Sequence, residues 1–431
     1  MNAIQQKYWS NPKESVFAGR KHQWKIFGEN EMKKRKWYSL IDKVWRHDNL
    51  EKAADLVIRN AGAAGVDRQS TKQFLVNKDI HLQEIIRLLR EKRYEPKPVK
   101  TFEIPKDNNK VRSLGIPTVR DRIVQQSLRL VTEPIFENKF KDCSYGFRPN
   151  RNCHQAVAKV EAYINAGNLW AVEVDIENFF DSIDHELLID QVADEISDGR
   201  ILKLIRAFLT SGIMKEGKTI AKKEGTPQGG VISPLLGNIY LHPLDEALTE
   251  QGFNLVRYAD DQVIMCKSEE EADRALSAFM SILEKLKLKA NMSKTKKVKL
   301  SDEEGTEFLG FLITAKYKFP RDKSIKKFKD KVRARTRRIA PVSLKQLIQN
   351  LNPIIRGWGE YFRKGNSYKA FAKLDSWIRM RLRCFIEKHK SYNANKRISN
   401  NFFESNGLIS LLTMRKLTLC NGATASESRM R

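Results

Sequence analysis

Two adjacent carboxylates in Tyr258-Ala259-Asp260-Asp261 stand between two apolar runs, Phe253 to Tyr258 and Gln262 to Cys266. Both runs read as short buried strands joined by a tight turn, so the acids are pushed to a hairpin tip. Carboxylates held that close repel unless a cation sits between them, and a hard divalent ion with oxygen ligands, Mg²⁺, suits the role. A second acidic strand end follows from Leu169 to Val174, an apolar strand that delivers Asp175 just before a turn. Three acids from two strands can hold two metal ions. That is the apparatus of in-line displacement at phosphorus, one ion activating a 3′-hydroxyl and the other steadying the leaving pyrophosphate.

The composition fits a partner of matching chemistry. A chain of 431 residues with 41% hydrophobic content can build more than one domain and a sizeable core. A net charge of +27 resists compaction unless it is spread over grooves that face a polyanion, and nucleic acid is the usual candidate. No apolar stretch approaches the roughly 18 residues of a spanning helix, and the polar N-terminus has no secretory h-region. The expected location is the cytoplasm, without membrane attachment. Five scattered cysteines without a Cys-x-x-Cys pair indicate neither a zinc site nor a disulfide framework.

Several elements must position the acids. Residues 1–35 show weak periodicity, and a helical pattern starts at Trp37 and breaks at Gly62 to Asp67, a Gly-rich turn with no Walker-type Gly-Lys-Ser/Thr. Phe102 to Lys106 and Val111 to Pro117 form a hairpin that presents Lys106 and Arg112, and Thr118 to Thr132 reads as a helix. Tyr145 to Arg151 interleaves aromatics with Arg148 and Arg151, a mixture suited to stacking and phosphate contact. Phe179 reads as core and Asp184 as the N-cap of a helix over 185–192. Gly225 to Pro234 places Gly229 and Gly230 beside Gln228, where backbone can approach a base pair, ahead of a helix over 235–248. A helix over 269–286 precedes Asn291 to Lys296. From Lys316 to Arg338 twelve Lys or Arg stand against two Asp, which predicts one cationic helix. Two amphipathic helices follow over 343–362 and 367–388, with Phe371, Leu374, Ile378 and Leu382 as core and Arg379, Arg381 and Arg383 on other faces.

Taken in order over residues 36 to 395, these motifs resemble the reverse transcriptases encoded by bacterial group II introns, of the type lacking an endonuclease domain. The resemblance implies an α+β right-hand polymerase. Fingers and palm with an antiparallel sheet would occupy 36–315, and an α-helical thumb or maturase domain 320–392. An N-terminal extension (1–35) precedes them, and a shortened DNA-binding-like segment with a tail (393–431) follows. It implies catalysis by Asp175, Asp260 and Asp261, which with the Ile176 carbonyl bind two Mg²⁺, Mn²⁺ being a substitute. Lys106, Arg112, Phe180 and Gln228 would contact the deoxynucleotide triphosphate, Phe180 by crowding a 2′-hydroxyl, and Lys294 or Lys296 would serve the pyrophosphate. Arg148, Arg151, Gly229 and Gly230 would meet template and primer, and Phe308, Leu309 and Gly310 would support the primer end. Arg356, Trp358 and Tyr361 match the maturase pattern. The implied activity is RNA-directed DNA synthesis from a DNA primer, together with intron RNA binding for splicing. The alternatives are a splicing cofactor acting mainly by RNA binding, and a domesticated enzyme serving host defence, spacer acquisition or repair.

Overall fold

The computed structural model describes residues 36–105, 111–215, 218–220, 224–227, 229–389 and 397–415. The expectations for residues 1–35, Lys106, Gln228, the Arg112 side chain and the terminal tail lie outside the described residues. In chain order the strands are β1 (Val99–Pro105), β2 (Val111–Ile116), β3 (Trp170–Asp175), β4 (Ile213–Lys215), β5 (Lys218–Ile220), β6 (Asn254–Tyr258), β7 (Asp261–Cys266), β8 (Lys296–Lys299), β9 (Thr306–Phe308), β10 (Phe311–Ile313) and β11 (Lys318–Pro320). Two compact units arise, each from discontinuous stretches: described residues of Met1–Ala156, Asp175–Asp260 and Ala275–Ser293 in one, and of Val157–Val174, Asp261–Arg274 and Lys294–Arg431 in the other.

In the first unit, β1 and β2 pair antiparallel as the alternation predicts, with Ile104 opposite Arg112. β4 joins the far edge of β1 in parallel and β5 follows, giving the order β2-β1-β4-β5. The core helix Val119–Glu137 buries twelve of its nineteen residues, and Thr118 caps it by accepting a hydrogen bond from the Asp121 N–H. Helix Ser233–Glu250 buries twelve of eighteen and starts two residues earlier than its apolar pattern suggests, because Pro234 fits the first helical turn. A helix buried on nearly all sides carries little amphipathic signal, and here it marks the centre of the unit. Asp184 caps helix His185–Ala193 as expected, accepting from the Leu187 N–H at 2.9 Å.

In the second unit, β3 lies between β7 and β8 and pairs antiparallel with β8. Glu173 on β3 accepts from Thr306 Oγ1 at 2.8 Å and the Glu307 N–H at 2.9 Å, which ties on the separate sheet β11-β10-β9. The basic stretch departs from expectation. Lys318–Pro320 forms β11, and only Asp322–Arg335 is helical, because Pro320 cannot continue a helical hydrogen-bond ladder. Helices Leu344–Phe362 and Tyr368–Ile386 follow, the first capped by Ser343. Phe371, Leu374, Ile378 and Leu382 are buried as their spacing predicts. The arginines between them are less free than predicted. Arg383 is buried and donates to the Ile398 carbonyl at 3.0 Å and Asn400 Oδ1 at 2.8 Å, and Arg381 donates to the Thr336 carbonyl at 2.7 Å. Asp375 accepts from Ser410 Oγ and from the N–H groups of Leu411 and Leu412, so the segment up to 415 folds back onto helix Tyr368–Ile386. Among the described residues, no helix is long and apolar enough to cross a membrane.

Candidate active site

The turn between β6 and β7 is two residues long. Ala259 takes φ of +58°, a left-handed conformation that costs an L-residue about 1–2 kcal/mol. Its carbonyl accepts from Nη1 of Arg257 at 3.0 Å. Arg257 has no exposed surface, and the same guanidinium donates to Asn238 Oδ1 at 3.0 Å and, through Nε at 2.6 Å and through Nη2, to the two oxygens of Asp245. Burial alone would lower its pKa, but Asp245, with a contribution from Asp260, raises it, so Arg257 stays charged. A charged group inside an apolar strand thus anchors the backbone of the acidic turn to helix Ser233–Glu250.

A second brace comes from the loop after helix Val119–Glu137. The Arg257 N–H donates to the Cys143 carbonyl and the Tyr145 N–H to the Arg257 carbonyl, each at 2.8 Å. Gly146 lies so close to the turn that an added Cβ would fall 2.4 Å from the Ala259 nitrogen. The Gly146 carbonyl accepts from Asn238 Nδ2 at 2.8 Å, so Asn238 grips both loop and clamp. Asp260 is partly buried at the turn, and Asp261 is exposed where it opens β7.

Asp175 ends β3, whose sheet neighbour β7 opens with Asp261. The Asp175 carboxylate accepts from Asn291 Nδ2 at 3.2 Å, its carbonyl accepts from the Asn291 N–H at 2.7 Å, and Ser293 Oγ donates to Asn291 Oδ1 at 2.7 Å. The bridge between Ile176 and Ala290 is closed by the Glu177 N–H and the Asp175 carbonyl, so the Ile176 carbonyl points away from that pairing. Phe179 is buried against Phe180 and Tyr240, at centroid distances of 5.0 and 6.4 Å, whereas Phe180 is half-buried. The Phe180 carbonyl accepts from the Thr226 N–H at 2.7 Å, which fixes it to the loop before helix Ser233–Glu250.

Several expected contact residues do different work. Arg148 donates to Glu137 through Nε and Nη2 and to the carbonyls of Lys141, Ser144 and Phe140, with 3% of its side chain exposed. Arg151 donates to Asp142 Oδ1 at 2.6 Å and to the Asp142 carbonyl at 2.9 Å. The Arg148 guanidinium shapes the 142–151 loop from inside, and Arg151 ties the same loop to Asp142 with 22% of its side chain exposed. Gly229 and Gly230 each let another part of the protein approach closely. A Cβ on Gly229 would sit 2.2 Å from the Gly115 oxygen, and one on Gly230 would sit 2.5 Å from Ser233 Oγ.

In the second unit, Phe308 is buried, and Leu309 and Gly310 form the two-residue β9–β10 turn with φ of +47° and +84°. The Leu309 carbonyl accepts from Tyr361 Oη at 2.7 Å, and the Gly310 carbonyl from the Arg321 N–H and Ser324 Oγ, each at 3.1 Å. Tyr361 therefore braces this hairpin. Trp358 is a packing residue between Phe328, Phe362 and Phe371, and Arg356 is exposed. Lys296 pairs with Glu173 at 3.4 Å from the neighbouring strand, and Lys294 lies exposed just before β8. Arg257, Asp245, Asn238 and Asn291 were not singled out from sequence. The available signal was a lone arginine within an apolar strand, which has to find a buried acid.

Among the described residues, no three His, Cys, Asp or Glu side chains form a ready-made metal cage. Mg²⁺ keeps waters and substrate phosphates in its shell and is held by one or two carboxylates, so carboxylates at strand ends fit it.

Residues 104–313 match the family model for reverse transcriptase (RNA-dependent DNA polymerase), and residues 325–402 match the maturase-specific domain of group II introns. Protein YkfC of Escherichia coli (strain K12) is 34% identical over 308 residues, covering 62% of this chain and 80% of YkfC. Group II intron-encoded protein LtrA of Lactococcus lactis subsp. cremoris is 39% identical over 183 residues, covering 42% of this chain and 30% of LtrA. Among solved structures, a chain of a partial Cas6-RT-Cas1–Cas2 complex is similar with a TM-score of 0.38 and 26% identity, over 57% of this chain and 41% of that one.

Proposed function

The chain belongs to the group II intron reverse transcriptase and maturase family, and on that premise we propose that it copies RNA into DNA at the Asp260-Asp261 turn and binds intron RNA as a maturase. The observation that carries the catalytic reading is the buried Arg257–Asp245 pair gripping the Ala259 carbonyl. Burying two charges is costly, and its return here is a backbone fixed at the point where two carboxylates stand side by side.

In this reading β1 and β2 belong to the fingers, β3, β6 and β7 to the palm, and the helices from Asp322 to Ile386 to the thumb. Asp175, Asp260 and Asp261, with the Ile176 carbonyl, would hold two Mg²⁺, which when bound acidify a primer 3′-hydroxyl and neutralise the leaving pyrophosphate. Asn291 orients the Asp175 carboxylate so that it keeps one geometry as charge gathers around it. Phe180, pinned through its carbonyl, presents its half-buried ring to the sugar and selects deoxynucleotides by crowding a 2′-hydroxyl. Lys106, Arg112 and Gln228 contact the triphosphate and the nascent pair, and Lys294 or Lys296 serves the pyrophosphate. Arg151, partly exposed beside Asp142, meets template and primer, whereas the Arg148 donors are spent within the protein.

The test is extension of a DNA primer on an RNA template with Mg²⁺, comparing the native chain with the Asp260→Ala/Asp261→Ala variant. Product from the native chain alone is expected. Equal product from both would overturn the assignment of the turn, and no product from either, with RNA still bound tightly, would move the function to RNA binding.

A further inference from the structure

The second unit contains a cavity of about 370 Å³ lined by Glu161, Lys318, Arg363, Lys364, Asn366 and Arg415, so four cations face one carboxylate. Its walls are fixed. Lys318 pairs with Glu161 at 2.5 Å, and Asn366 exchanges two hydrogen bonds with the Lys318 backbone, at 2.7 and 3.1 Å. Arg363 pairs with Glu360 at 2.8 Å, yet its Nε is buried and finds no hydrogen-bond partner among the described residues. Arg415 stands 5.8 Å over the Tyr368 ring.

A helix C-terminus attracts cations by itself, and Arg363 and Lys364 follow the end of helix Leu344–Phe362. That effect does not account for Lys318 on β11 or for Arg415, which come from other parts of the chain. A merely solvated basic patch would also not draw its cations from three separate stretches of the chain, at 318, 363–364 and 415, around one cavity. Such a cavity suits an anion with several acceptor oxygens.

We propose that this cavity binds a terminal phosphate dianion with at least three unesterified oxygens, either free orthophosphate or the 5′-phosphate monoester at the end of a nucleic acid strand. A monoester offers three unesterified oxygens for separate donors to share, whereas an internal phosphodiester offers two and has sugar on both sides to accommodate. The site is separate from the acidic turn and does not depend on the polymerase reading.

The experiment uses the full chain and a short single-stranded RNA labelled at its 3′ end, carrying either a 5′-phosphate or a 5′-hydroxyl, by fluorescence anisotropy at fixed ionic strength. The 5′-phosphate is expected to bind about tenfold tighter, the worth of one charge-assisted hydrogen bond. Lys364→Gln/Arg415→Gln should erase the preference and leave the melting temperature unchanged, which shows that the variant is folded. Glu161→Gln, which frees Lys318, should widen the preference, a gain that misfolding does not mimic. Equal binding of the two RNAs, with orthophosphate binding by calorimetry that the double variant loses, would assign the site to the free ion. Equal binding with no orthophosphate binding, or a double variant that keeps the full preference, would overturn the proposal.

Discussion

Two of the turns that place a non-glycine residue in the left-handed region are held by opposite means. At Ala259 the backbone is gripped by a fully buried ion pair, Arg257 with Asp245, and by the close approach of Gly146. At Leu309 the grip comes from a tyrosine hydroxyl, with the Tyr361 ring stacked on Phe311 at 5.5 Å and set edge-on to Phe362 at 4.8 Å. The first turn carries adjacent carboxylates whose repulsion works to open it, and a directional, charged clamp resists that where apolar contact would not. The second carries no charge, and dispersion with three neutral hydrogen bonds, one to the Leu309 carbonyl and two to the Gly310 carbonyl, suffices. Scaffolds of the first kind fail all at once, and those of the second fail by degrees.

The difference can be broken most directly at the acids. Asp260→Asn is expected to lower primer extension by at least about 10³-fold while the melting temperature holds or rises, since one source of repulsion is gone. Retained activity would detach the charged clamp from chemistry. Next in size, Asp245→Asn should cost about 3–5 kcal/mol in urea unfolding, because it strands a buried guanidinium. The apolar double replacement Arg257→Met/Asp245→Leu should recover most of that stability without recovering primer extension, as the Ala259 carbonyl still lacks its donor. If extension returned with stability, the clamp would be dispensable for positioning. Gly146→Ala should destabilise by about 1–3 kcal/mol through overpacking, and extension should fall more than stability does, because the clash lies at the Ala259 nitrogen. The smallest effect belongs to the second turn. Tyr361→Phe removes one hydrogen bond and should cost about 1 kcal/mol, visible in thermal melting.

What could be read from the sequence follows the same division. Local rules located the Asp184 cap, the buried Phe179, and the 3.6-residue spacing of Phe371, Leu374, Ile378 and Leu382, since each depends on neighbours within a turn or two. The acidic turn was legible because alternating apolar runs bracket it. Its clamp was not, because Arg257 meets Asp245 and Asn238 on a helix twelve and nineteen residues earlier, and no periodicity announces that pairing. One arginine shows the same limit. Arg148 looks suited to nucleic acid by residue type, but Glu137 had already claimed it, and only tertiary structure reveals the claim. Likewise β11 was hidden inside a basic run whose composition suggested a single helix.

The internal bookings of Arg148, Arg257 and Arg383 also bear on how the molecule responds to its ionic surroundings. A guanidinium sealed against a carboxylate or a carbonyl carries no exchangeable anion from solution, so it contributes nothing to the counterion release that makes nucleic-acid affinity fall with rising salt. Glu137 and Asp245 already cancel Arg148 and Arg257 within the formal charge of +27, so of these three only Arg383, held by neutral acceptors, makes that figure overstate what solution ions meet. Any slope of log affinity against log salt would come from solvent-facing Lys and Arg side chains instead.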